Sequence, residues 1–265
     1  MTAIPAALVK ELRDLTGAPM MDSKRALEET GGDLEAARKL LRERGMAEAG
    51  KRAGRETTEG IVLATIGGNV GAMVAVGCET EPVAKNEEFL RFAEHLLEAV
   101  ESTYLKERID QLEEERSALI GRIGENIVVR GTVAMEAADG EGLADYVHPP
   151  ANKIGVLVRY RGGSSDEARR LAMHISFARP RYATRGQVPE SDVEAERGIL
   201  AKQPDVQDKP EQVREKIVAG RLDKWYAEAV LEDQPWIHDP DRTVGAALAE
   251  TGLEVLEFER FALAE

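Results

Sequence analysis

The residues of this chain with the means to do chemistry are four histidines, one cysteine, an acidic run and one glycine-bounded stretch ending in basic residues. A metal site needs ligands at set spacings, such as HExxH or paired His and Cys, and His95, His148, His174 and His238 offer none. His95 and His174 fall in stretches with helical apolar periodicity, where a structural role is the ordinary one. Cys78 closes an apolar run with no histidine near it in sequence, and such a thiol is usually a small core residue. Glu113, Glu114 and Glu115 read as the solvated face of a helix rather than as hydrolytic carboxylates.

Gly45-Met46-Ala47-Glu48-Ala49-Gly50-Lys51-Arg52 has the spacing of a phosphate-binding loop. Its last position holds Arg52 where Ser or Thr must ligate Mg²⁺, and a helical pattern precedes it instead of a strand, so coincidence explains it better. Gly67-Gly68 suits a hairpin turn, and no GxSxG elbow occurs. The expectation is a protein that is not an enzyme, carries no cofactor or metal, and acts by gripping another protein.

Composition narrows the partners. The 265 residues include 43% hydrophobic and 32% charged, the balance of an ordinary globular protein. Lys and Arg total 35 against 49 Asp and Glu, a net charge of -14 that repels a nucleic-acid backbone. The densest basic stretch, Lys51-Arg52-Ala53-Gly54-Arg55, is short and has no aromatic residue beside it, so no direct nucleic-acid binding is expected. No apolar run reaches the length that spans a bilayer. Residues 1–8 lack a secretory start, and one cysteine cannot staple the chain, so the expected compartment is the cytoplasm.

Residues 1 to about 45 read as three short helices. Leu8, Leu12 and Leu15 line one face of the first, and Leu34, Ala37, Leu40 and Leu41 one face of the third. Asp33 suits the N-cap of the third and Gly45 its stop. Residues 46–59 then read as a linker. The period switches after it: 61–66 and 70–76 make a hairpin around Gly67-Gly68-Asn69. Asn86 caps a helix with Phe89, Phe92, Ala93, Leu96, Leu97 and Val100 in one stripe. A charged helix over about 105–120 and a strand through 127–135 complete this half. Residues 142–147 and 154–160 start the plan again as a second hairpin. A Ser164 to Glu167 capping box then opens a helix, and 253–261 form a closing strand. The fold class is α+β, in two halves of similar topology with helices on one face of each sheet. Residues 189–228, opened by Pro189 and Pro210 in first-turn positions, read as an inserted helical pair seamed by Val193, Leu200, Val213, Ile217, Leu222 and Trp225.

The run from Leu8 through Thr16-Gly17-Ala18-Pro19-Met20-Met21-Asp22-Ser23-Lys24 to Leu27 closely resembles the start of the bacterial elongation factor Ts family. The similarity continues, in order, through Gly32-Asp33-Leu34, Ile123-Gly124-Glu125-Asn126, Ile154-Gly155-Val156-Leu157-Val158, Val218-Ala219-Gly220-Arg221-Leu222 and Thr243-Val244-Gly245. The resemblance implies a ubiquitin-associated-like three-helix bundle over 1–53, a first core half over 54–140 and a second over 141–188 plus 229–265. The insertion at 189–228 becomes a coiled-coil hairpin. It implies release of GDP from elongation factor Tu so that GTP can reload, and it leaves homodimerisation through the core open, since some members pair that way.

In the family, the N-terminal bundle and part of the core grip one helix of the GTPase. The matching positions here are Met20, Met21 and Lys24, with Ile237 and His238 from the second half. Paired flexible thioethers suit such a surface; the alternative is that they plug a small bundle core. The family's working loop reads Thr-Asp-Phe-Val, its ring wedging beside the GTPase's Mg²⁺. Here the aligned residues are Thr80, Glu81, Pro82 and Val83, so a carboxylate remains and the ring is gone. Proline is also expected to hold Glu81 extended. Three consequences stay open: a complementary partner, exchange driven more by the helix grip, or reduced activity. With them stays the alternative of an adaptor that keeps the fold without exchanging nucleotide.

Overall fold

The structure, a computed structural model, describes residues 4–102 and 105–263, with side chains for all of these except 105–107; the start read above for an export signal, residues 1–3, lies outside them. Three helices open the chain: α1 (Ala6–Thr16), α2 (Met20–Glu29) and α3 (Leu34–Arg52). Val9, Leu12, Ala26, Leu27 and Ala37 form their buried core, with Leu8, Leu34, Leu40 and Leu41 packed around it. The buried stripe of α1 therefore runs through Val9 and Leu12, and the expected third member, Leu15, is exposed at the helix end. Asp33 caps α3 as expected, its carboxylate accepting from the Ala36 amide at 2.9 Å.

Gly45 does not stop α3, and residues 46–52 are helix rather than linker. A side chain at Gly45 would sit 3.3 Å from the Ser117 carbonyl oxygen of α6 (Leu105–Ile123). The glycine serves a close helix crossing, and packing on α6 carries the helix past a residue whose intrinsic propensity is poor. Arg42 and Glu114 close the same interface as an ion pair at 2.5 Å. The phosphate-loop spacing at 45–52 is thus helix interior.

Strands β1 (Glu59–Gly67), β2 (Val70–Cys78) and β3 (Val128–Glu136) form one antiparallel sheet in that order, and β4 (Glu141–Val147), β5 (Ile154–Arg161) and β8 (Glu254–Ala262) a second. In each half the second strand lies in the middle and the chain returns through helices to its far edge. Each far edge carries one extra residue, Arg130 on β3 and Leu256 on β8, at a bulge in the ladder.

The alternation of β2 explains the layering. Ala72, Val74, Val76 and Cys78 face α5 (Glu87–Glu101) and α6, whereas Met73 and Ala75 face the other sheet. On β5, Val156, Val158 and Tyr160 face α7 (Ser165–Ala178), and Leu157 meets Met73 and Val62 between the sheets. The result is helix, sheet, sheet, helix. Gly155 allows the sheets to approach this closely, because a Cβ there would run into Val62.

The insertion comprises α8 (Glu190–Ala201), α9 (Pro204–Gln207) and α10 (Glu211–Ala229). Pro189 and Pro210 stand at the N-cap positions, one residue earlier than expected. Its small core is Leu200, Val206, Val218 and Leu222 flanked by Val193, Ile217, Trp225 and Tyr226; Val213, expected in the seam, is exposed. After it come β6 (Pro235–Trp236), β7 (Asp239–Thr243) and α11 (Val244–Thr251), three elements the periodicity did not reveal.

Candidate functional site

Three groups of residues were singled out, and the structure places them on three separate elements. Residues 80–83 follow β2 directly. They are not an extended loop: Thr80 precedes a single helical turn, α4 (Glu81–Ala84), with Pro82 near its start. The expectation that proline would hold Glu81 extended is corrected by this turn, in whose first residues a missing proline N–H loses no intrahelical bond. Thr80, Glu81 and Pro82 are exposed, while Val83 and Ala84 pack against the helix-covered core of the first half. Lys85 donates to Glu81 at 2.7 Å, which holds the Glu81 carboxyl below its usual range.

The turn is held from beneath by two carboxylates, Glu125 bonding the backbone at 79–80 and Glu79 the backbone at Asn126. Glu125 accepts from the amides of Glu79 at 3.1 Å and Thr80 at 3.0 Å and from the Thr80 hydroxyl at 2.6 Å. Glu79 in return accepts from the Asn126 amide at 2.6 Å, and the Arg55 guanidinium lies at 3.4 Å from the same carboxylate. Bonds from N–H groups to an ionised acceptor are the strong kind. Asn126 is buried and donates its side-chain amide to the Arg55 carbonyl at 2.9 Å. Cys78, just before the clasp, is fully buried; desolvation first, then the neighbouring Glu125 charge, pushes its thiol up to about 12. It is inert packing, as its position at a strand end suggested.

Met20, Met21 and Lys24 occupy the first turns of α2. Met20 and Met21 are 46% and 57% exposed, so they do not plug the bundle, and Leu15 across the α1–α2 connection is 57% exposed as well. Lys24 is also exposed and lies 3.6 Å from Glu28. Exposed apolar side chains of this size are available to a partner rather than used by the bundle.

Ile237 and His238 form the connection between β6 and β7 in the second half. Buried His174 on α7 positions them: its Nε2 donates to Gln234 Oε1 at 2.9 Å, and its Nδ1 accepts from the Ile237 amide at 3.3 Å. Both contacts require the neutral ring with hydrogen on Nε2. Desolvation, the main cause, depresses the His174 pKa accordingly, with the Gln234 bond opposing it. Gln234 also donates to the carbonyls of Ala178 and Glu228, at 3.1 and 2.8 Å, which joins the ends of α7 and α10. Trp236 lies between His174 and His238, with ring centroids at 5.1 and 4.7 Å. Beside this group Phe177 is 75% exposed on α7 and lines a shallow apolar groove with Met173, Trp236 and Ile237.

Sequence reasoning missed Glu125, Gln234, His174 in this role and Phe177. Glu125 stands inside a stretch quoted for its resemblance, and that was its one visible signal. Among the described residues no cluster of three or more His, Cys, Asp or Glu is arranged to hold a metal ion, and no helix is long and apolar enough to cross a membrane. His95 bonds Glu115 at 2.9 Å between α5 and α6, a structural contact.

A family model described as Elongation factor TS matches residues 79–265, beginning at the clasp itself. Elongation factor Ts of Thioalkalivibrio sulfidiphilus is 42% identical over 273 residues, covering 99% of this chain and 92% of that protein. The Shewanella amazonensis protein of the same name is 42% identical over 267 residues, with 99% and 92% covered, and that of Photorhabdus laumondii 39% over 274 residues, with 100% and 94%. Identity of this order along the whole length leaves one assignment: the chain belongs to the elongation factor Ts family.

Proposed function

We propose that this chain promotes GDP release and GTP reloading on elongation factor Tu by gripping one helix of the GTPase while the 80–83 turn disturbs its Mg²⁺ and phosphate site. Family membership supports the activity, and one observation supports the route. The turn is exposed at its tip yet fixed at its base by the Glu79 and Glu125 carboxylates, so it can press on a partner without yielding.

An exchange factor works by a difference in affinity. Whatever factor it takes from the nucleotide's affinity, the nucleotide takes from its own. Equal binding to both states shifts nothing. A thousandfold acceleration of GDP release corresponds to about 4 kcal/mol less barrier. The exposed Met20, Met21 and Lys24 supply one part of the grip and Ile237 with His238 another. Pro82 offers less volume than a phenylalanine, so more of the work falls on these surfaces.

The finer organisation belongs to the same reading. The first three helices act as a ubiquitin-associated-like bundle over 1–53, the core halves span 54–140 and 141–188 plus 229–265, and 189–228 is a coiled-coil hairpin. The protein has no catalytic constellation of its own and works in the cytoplasm without touching nucleic acid or membrane, and the core is its surface for pairing with a second copy.

Gel filtration with nucleotide-free elongation factor Tu tests the proposal. A stable complex is expected that excess GDP dissolves, and a Met20→Ala, Lys24→Ala double variant should form it about tenfold less tightly. A complex indifferent to GDP would instead describe an adaptor.

A further inference from the structure

The end of α6 and the residues after it touch both contact surfaces of the first half. Arg122, in the last turn of α6, donates through Nε to Glu88 at 2.7 Å and through Nη1 to the Thr16 carbonyl at 3.3 Å. Thr16 and Gly17 end α1, and only Ala18 and Pro19 separate them from Met20 and Met21. Gly17 adopts φ 66°, and a side chain there would meet the Arg122 guanidinium at 3.2 Å, so the glycine both makes the left-handed cap and leaves room for the arginine. Three residues on, Glu125 binds the base of the 80–83 turn by three hydrogen bonds, and Asn126 returns one to Glu79. Arg122 is 20% exposed in its side chain, and Glu125 is half-buried, so neither lies at the tip of a partner surface.

Resting on the exchange reading above, we propose that Arg122 and Glu125 are positioning residues with separate tasks: Arg122 holds the α1–α2 connection that presents Met20 and Met21, and Glu125 holds the 80–83 turn. The segment 122–126 thereby sets the spacing between grip and wedge. Neither residue needs to touch the GTPase. An arginine fork suits the first task because it reaches a carboxylate and a carbonyl at once, which lysine's single ammonium does less well. A carboxylate suits the second because it accepts from two adjacent amides and a hydroxyl together.

The roles separate in kinetics. With the grip intact and the turn loosened, Glu125→Ala should lower the saturating rate of GDP release about tenfold while the half-saturating concentration stays within about twofold. Arg122→Ala should do the reverse, raising half-saturation about fivefold with the saturating rate within about twofold. Hydrogen exchange on the free protein reads the clasp without any exchange activity. The Thr80 amide should exchange about tenfold faster in Glu125→Ala, and the amides around 17–20 faster in Arg122→Ala. If Glu125→Ala does not fold, Glu125→Gln keeps an acceptor for the amides and loses one for the Thr80 hydroxyl, and should give a smaller change of the same kind. Unchanged Thr80 protection in the Glu125 variant, or both variants altering the same kinetic parameter, overturns the proposal. A wild-type protein that fails to speed GDP release overturns the exchange reading instead, while the hydrogen-exchange result still decides the clasp.

Discussion

In the first half of the core the chain passes from β2 to α5 through residues 79–86, an exposed helical turn clasped from below; in the second half it passes from β5 to α7 through Gly162, Gly163 and Ser164 alone. Both glycines sit at positive φ, 68° and 61°, and Ser164 with Glu167 makes the reciprocal cap, Ser164 accepting from the Glu167 amide at 3.3 Å and the Glu167 carboxylate accepting from the Ser164 amide at 2.8 Å. One plan thus carries two kinds of connection. The short one only turns the chain. The long one projects residues, and it needed a carboxylate from another element to stay rigid. The second half has its candidate residues elsewhere, half-buried Ile237 and exposed His238 after the inserted hairpin, and there His174 and Gln234 do the holding.

The comparison yields tests of decreasing size. Phe92→Ala in the first half removes a ring that is 1% exposed and should cost about 3–5 kcal/mol; Leu171→Ala in the second should cost about 2–5 kcal/mol. Because Met73 and Leu157 join the sheets, both variants should unfold in one urea transition. A biphasic curve would show that the halves are separable and weaken the comparison. Pro82→Phe should speed GDP release about tenfold, equivalent to about 1.4 kcal/mol of barrier, with midpoint stability unchanged because the site is exposed. No gain in stopped-flow release would mean that volume at this turn is not limiting.

Ser164→Ala should lower stability by about 1 kcal/mol in denaturant titration and leave exchange untouched, since the short connection only turns the chain. The smallest effect is expected from pH. The folded pKa of His174 lies below its unfolded value of about 6.5, so its contribution is intact above that pH and is lost as pH falls below it toward the folded pKa. Wild-type Tm should therefore drop more than that of His174→Gln between pH 7.5 and 5.5. Parallel curves would remove the neutral-ring assignment.

Much of this architecture was legible because its signals are local. The Asn86 cap, accepting from the Glu88 amide at 2.8 Å, the apolar stripe after it, both hairpins and the Ser164 box depend on neighbours a few residues apart. Gly45 was misread because the reason for a glycine there, the close Ser117 carbonyl, lies on another helix far along the chain. Glu125 and His174 escaped for the same reason, as their partners Thr80 and Ile237 are 45 and 63 residues away. The short helix α11 was overlooked although Thr243 caps it and Gly252 ends it in the left-handed region, and those two residues were its signals. The supports of the 80–83 turn and of Ile237 were not readable, because they come from distant elements.

Stopped-flow release of a fluorescent GDP from elongation factor Tu tests the central claim most directly. Rising concentrations of this protein should accelerate release to a plateau at least about a hundredfold above the spontaneous rate, which corresponds to about 2.7 kcal/mol. Release that keeps its spontaneous rate at every concentration would contradict the account.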